Sequence, residues 1–124
     1  MCASTMAQVA AIEALKSGED SATEMVEEYN KRRLIIVKGL NDIGLPCFEP
    51  KGAFYAFTSI KGTDMTSEEF AENLLIEEKV AVVPGSAFGQ CGEGYIRCCY
   101  ATSLTEIEEA LSRMKRFVAK HQTV

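Results

Sequence analysis

Four Ser/Thr-x-x-Glu/Gln boxes, each heading an apolar periodicity, commit most of this 124-residue chain to helices. Thr5-x-x-Gln8 opens the first, with Val9, Ile12 and Leu15 at core spacing and Gly18 as its stop. Ser21-x-x-Glu24 opens a second, long helix with the stripe Met25, Val26, Tyr29, Ile36, Val37 and Leu40, which stops at Gly44 before Pro46. Thr66-x-x-Glu69 opens the third, with Phe70, Leu74 and Leu75 inward. Ser103-x-x-Glu106 opens the fourth, with Leu104, Ile107, Leu111, Met114 and Val118 inward.

The segments between the helices read as strands. Residues 53–60 are rich in aromatic and β-forming side chains, residues 79–83 form a short apolar run, and residues 46–49 suit a minor strand. In residues 95–101, Ile96, Cys98 and Tyr100 share one face, and Tyr95, Arg97 and Cys99 share the other. The order ααβ(β)αββα lacks regular crossover helices. It predicts an α+β fold (an α/β sandwich) in which a small, mainly antiparallel sheet of three to four strands has helices on one face. The other face combines aromatics, small residues and Arg97, a mixture that suits a cleft against another domain. The first helix is apolar or small over much of its circumference, which predicts burial from more than one side, by something beyond this domain or by a second copy.

Composition narrows the function classes. The length suits one domain, and 47% hydrophobic with 25% charged residues is ordinary for a globular protein. A net charge of −5 argues against nucleic-acid binding, which needs clustered Lys and Arg. No apolar run is long enough to span a bilayer, so no membrane role is expected. Five cysteines without a CxxC pair fit reduced thiols and a cytoplasmic location.

Arg97 is the leading candidate for chemistry. Ile96, Cys98 and Cys99 surround it, so its head group is not on a general polar surface. A guanidinium fork matches a carboxylate through two parallel hydrogen bonds, which lysine cannot do. The competing reading is a salt bridge to Glu93, Glu49 or Glu77. Gly52 in Pro50-Lys-Gly-Ala-Phe54-Tyr permits a close approach by ligand or backbone. The glycines of residues 89–94 precede a strand and carry no Lys or helix start, so they belong to a hairpin and not to a phosphate loop. No catalytic metal cluster, Ser-His-Asp set or paired-carboxylate site can be assembled.

Three segments carry a resemblance: residues 50–57 (PKGAFYAF), 80–89 (VAVVPGSAFG) and 95–101 (YIRCCYA), followed by an amphipathic helix. In this order they resemble the C-terminal small domain of fold-type I, pyridoxal-phosphate-dependent aminotransferases of the aspartate aminotransferase superfamily. The resemblance implies that Arg97 binds the substrate α-carboxylate and that Gly52 and Phe54 help wall the substrate pocket. It also implies that the amino group of an α-amino acid passes to a 2-oxo acid through pyridoxal phosphate. The cofactor lysine, the acidic partner of the pyridine nitrogen and the phosphate cradle would lie in a large domain. The Ser-x-x-Lys and Gly-x-Arg-x-Gly segments that carry them in the family are absent here. The implied division is residues 1–19 as the end of the large domain and residues 20–124 as the small domain. The chain would then be a C-terminal fragment, inactive and without bound cofactor alone, and part of a homodimer when intact. Competing readings are a free-standing amino-acid-binding regulatory domain, a structural dimerisation domain, and a related pyridoxal-phosphate lyase.

Overall fold

The computed structural model describes residues 2–121. Met1 and residues 122–124, the outer ends of the two expected segments, lie outside the described residues. Helix α1 (Thr5–Ser17) is capped one residue earlier than the sequence pattern predicts, because the Ala7 N–H donates to Ser4 Oγ at 3.2 Å. Helix α2 (Glu19–Asp42) also starts earlier than expected, and Ser21 lies within it. Gly18 is the reason: its N–H closes α1 on the Ala14 carbonyl at 2.9 Å, while its own carbonyl accepts from Ala22 at 3.0 Å. Glu19 and Asp20 then complement the positive helix end. At the other end Gly44 takes φ 86°, and the Leu45 N–H returns to the Leu40 carbonyl at 3.0 Å. This closure buries Leu40 and Leu45 together.

Helix α3 (Ser67–Glu78) has the full reciprocal capping box. Glu69 N–H donates to Thr66 Oγ1 at 3.2 Å, and Thr66 N–H donates to Glu69 Oε2 at 2.9 Å. Helix α4 (Leu104–His121) opens with the Glu106 N–H on Ser103 Oγ at 3.3 Å.

The sheet has three antiparallel strands, β1 (Tyr55–Ser59), β2 (Val83–Pro84) and β3 (Tyr95–Cys99), with β3 in the centre. Phe57 and Val83 both pair with Arg97, from the two sides of β3. All four strand expectations shrink, residues 53–60 to Tyr55–Ser59 and residues 95–101 to Tyr95–Cys99, and the other two lose most of their length. Residues 79–83 contribute only Val83 to the sheet, because Lys79 closes α3 at φ 58° and Val80 and Val82 pack against the core instead. Residues 46–49 reduce to a single bridge, Cys47 to Thr58.

Helices cover one face of this sheet. Ile96, Cys98 and Tyr100 from β3 and its exit join Ile36, Leu40, Phe70, Leu74, Ile107, Met114 and Phe117 in one core. Phe70 and Phe117 meet edge to face at 5.1 Å. A Cβ on Gly39 would lie 2.4 Å from Leu111 Cδ1, so glycine is what lets α2 and α4 approach so closely. Three residues expected inward are exposed: Met25, Val26 and Leu75. Along α1, Met6, Val9, Ile12 and Leu15 are also exposed, since α2 is the main element that α1 touches. The expected burial of α1 from several sides therefore does not occur within this chain.

Candidate functional site: an arginine on the open face of the sheet

The alternation of β3 puts Arg97 on the face opposite the core, half-buried. Rings surround it. Its guanidinium carbon sits 4.2 Å from the ring centre of Tyr55, on β1, and 4.6 Å from that of Phe88, in the turn after β2. Phe57 stacks on Tyr95 at 5.5 Å and meets Phe88 edge to face at 6.1 Å on the same face. The competing salt bridges do not form. Glu93 accepts from the Ser67 N–H at 2.8 Å. Glu49 pairs with Arg33, and Glu77 accepts from Lys120 at 3.5 Å and contacts His121 at 2.9 Å. Among the described residues Arg97 makes no ion pair and no hydrogen bond. Rings engage the flat faces of a guanidinium, and its N–H donors point outward in the plane. The arrangement can therefore receive a planar anion such as a carboxylate, edge to edge.

Gly52 and Phe54 lie elsewhere. They line an open groove of about 660 Å³ between the start of β1 and α2, together with Tyr29, Arg33, Glu49 and Tyr100. Phe54 stacks on Tyr29 at 6.0 Å and leans on Tyr55 at 4.7 Å. Tyr100 hydroxyl donates to the Ala53 carbonyl at 2.9 Å, and burial raises its pKa. Arg97 is not part of this groove's lining; Tyr55 is the link, touching Phe54 on one side and Arg97 on the other. The structure thus brings Gly52 and Phe54 together in a groove whose lining does not include Arg97, with Tyr55 between Phe54 and Arg97.

The sequence placed Tyr95 on the face of Arg97 but did not single out Tyr55 and Phe57, which the pairing of β1 puts on the same face. Nor did it reveal Phe88's contact with Arg97, for which no local signal exists. On the covered face, burial pushes the Cys98 thiol up to about 12, with smaller contributions from Cys47 and Cys99. That thiol is part of the packing and is unsuited to nucleophilic work. Among the described residues no group of His, Cys, Asp and Glu could hold a metal ion, and no helix is long and apolar enough to cross a membrane.

Residues 1–114 match the family model for aminotransferase class I and II. The chain belongs to this family. The YugH protein of Bacillus subtilis (strain 168) is 60% identical over 120 residues, covering 97% of this chain and 31% of YugH. The aspartate aminotransferase of Pyrococcus abyssi is 51% identical over 117 residues, covering 93% of this chain and 30% of that enzyme. Among solved structures, an aromatic aminotransferase from Pyrococcus horikoshii OT3 superposes with a TM-score of 0.87 at 50% identity, covering 91% of this chain and 31% of that one. The chain spans about 30% of the length of the relatives it matches. Its three-stranded antiparallel sheet and four helices agree with the α+β small-domain fold.

Proposed function

We propose that this chain is the carboxylate-anchoring small domain of a longer aminotransferase, which moves an amino group from an α-amino acid to a 2-oxo acid. The observation that carries the reading is Arg97, a half-buried guanidinium on the open face, flanked by two rings and without a carboxylate partner among the described residues. Its task would be orientation. A two-point hydrogen bond to the α-carboxylate fixes the substrate's rotation, so that the amino or oxo carbon is held in one place. Gly52 and Phe54 would border the substrate less directly, through the Phe54–Tyr55 contact.

Pyridoxal phosphate is the cofactor that family membership implies for the intact enzyme. The residues described here do not make a site for it. All eight lysines are exposed, whereas a lysine activated toward an aldehyde is desolvated or set beside another cation. We therefore assign the cofactor to the remainder of a longer polypeptide. In this reading residues 1–19 belong with that remainder, residues 20–124 form the small domain, α2 is a hinge element for closure, and the intact enzyme is a cytoplasmic homodimer.

The test is a chimera in which this chain replaces the matching 30% of the Pyrococcus abyssi enzyme. We expect an active transaminase. In it, Arg97→Ala should lower kcat/KM by about 30-fold to several thousand-fold, since losing one partner of a hydrogen-bonded charge pair costs about 2–5 kcal/mol. Full activity of Arg97→Ala would refute the anchoring role. Saturable binding of a free amino acid to this chain alone at micromolar concentration would favour a regulatory domain instead.

A further inference from the structure

We propose that Phe88 is a positioning residue for Arg97, and that a clasp between the start of α3 and the β2–β3 connection holds it there. The inference rests on the anchoring role of Arg97 for its consequence, though not for its geometry.

Phe88 ends a tight turn over Gly85–Phe88, and its ring is 52% exposed. A half-exposed phenylalanine in a loop would ordinarily be free to turn. Here it leans on two neighbours, Arg97 at 4.6 Å and Phe57 at 6.1 Å. The backbone beneath it is held unusually firmly. Ser67 Oγ accepts from the Gly94 N–H at 2.9 Å and the Tyr95 N–H at 3.3 Å, and donates to the Gly92 carbonyl at 3.5 Å. The Ser67 N–H donates to Glu93 Oε1 at 2.8 Å, which places a carboxylate on the positive end of α3. Ser86 Oγ reaches Glu68 at 3.5 Å. Gly85 and Gly92 pass so closely that a Cβ on Gly85 would lie 2.0 Å from the Gly92 carbonyl oxygen. Gly89, at φ 110° and ψ 172°, turns the chain back directly after Phe88 in a region that other residues scarcely enter.

These contacts have a common result. The β2–β3 connection is tied to α3 through Ser86, Gly92, Glu93 and Gly94, and its entry to β3 through the Pro84–Ile96 pairing, so Phe88 is presented to Arg97 from the β2 side while Tyr55 meets it from the β1 side. A long, rotamer-rich side chain is thereby held with its N–H edge outward before any anion arrives. The ordering that carboxylate binding would otherwise require is already done. Leucine at position 88 would keep the apolar contact and lose the attraction of a ring face for the cation.

The experiment is side-chain NMR of the full chain. In the wild type the Arg97 δ and ε protons should show ring-current shifts relative to those of the exposed Arg116. Phe88→Leu should lose most of the Phe88 contribution, and Phe88→Tyr should retain it. Glu93→Ala, which removes an exposed carboxylate, should weaken the same shifts without unfolding the chain. In the Pyrococcus chimera, Phe88→Leu should lower kcat/KM roughly 10- to 100-fold, the scale of a slightly misplaced contact, with recovery in Phe88→Tyr. Unchanged Arg97 shifts in Phe88→Leu would overturn the positioning role, and unchanged shifts in Glu93→Ala would overturn the clasp. If Arg97→Ala itself left the chimera fully active, the anchoring reading would fall, and the NMR shifts would still decide whether Phe88 positions the guanidinium.

Discussion

Cys98 and Cys99 are neighbours in sequence and belong to different parts of the molecule. Cys98 faces the helices and is buried among Ile96, Tyr100 and the core; Cys99 is exposed on the face of Arg97. The two faces of one three-stranded sheet divide the work. Among the described residues, the covered face of the sheet packs mainly on apolar side chains and carries no charged group. The open face is at least as rich in rings, yet it holds a cation without an ionic partner among the described residues. Rings alone do not mark a core. What separates the faces is whether helices close over them.

Thiol labelling sharpens this contrast most. At pH 8, a thiol of pKa about 12 is ionised roughly a thousand-fold less than an ordinary one, before any steric protection is counted. Cys99 should react with a soluble disulfide reagent in the folded chain, and Cys98 only when the chain unfolds. Mass mapping of the labelled sites reads the result, and rapid labelling of Cys98 in the native state would break the comparison. Core truncation is the next effect. Phe117 is fully buried against Phe70, so Phe117→Ala should lower stability by about 3–5 kcal/mol in urea unfolding.

A smaller, pH-dependent effect lies where α3 meets α4. Burial raises the Glu78 carboxyl, but hydrogen bonds and attraction from Arg116 and Lys120 outweigh it, and the net shift is downward. A carboxyl whose folded pKa is lowered stabilises the fold above its ordinary value, about 4.3, and loses that contribution as pH falls through the folded value. Glu78→Gln should therefore flatten the acid limb of stability below about pH 5, measured by urea midpoints across pH. An unchanged acid limb would mean that the pair is screened.

Much of the fold was legible because its helix signals are local. The Thr66 box forms in full and the Ser103 hydroxyl caps α4 where the spacing predicts, and Gly44 ends α2 as expected. The start of α2 was misread because Gly18 serves two helices at once, which a capping pattern at Ser21 conceals. The strand at residues 79–83 was overestimated because three valines suit a strand and a loop packed on a core equally well. For the site, period-two alternation was enough to put Arg97 on the open face. The rings that flank it depend on pairings between residues 42 and 9 apart, and the Phe88 contact depends on a backbone reversal at Gly89 and a tether from α3. Neither is visible in a local window. The separation of Gly52 and Phe54 from Arg97 is likewise a consequence of which way Phe54 turns, toward Tyr29 on α2.

The most direct test of the two-face account is Arg97→Ala, read for kcat/KM in the chimera beside the urea midpoint of the same substitution in the chain alone. The account predicts a kcat/KM loss of roughly 30-fold or more, with stability changed by less than about 1 kcal/mol, because the lost stacking is worth little on an open face. Wild-type turnover, or a large loss of stability in the chain, would contradict it, since either would make Arg97 a structural residue of the sheet.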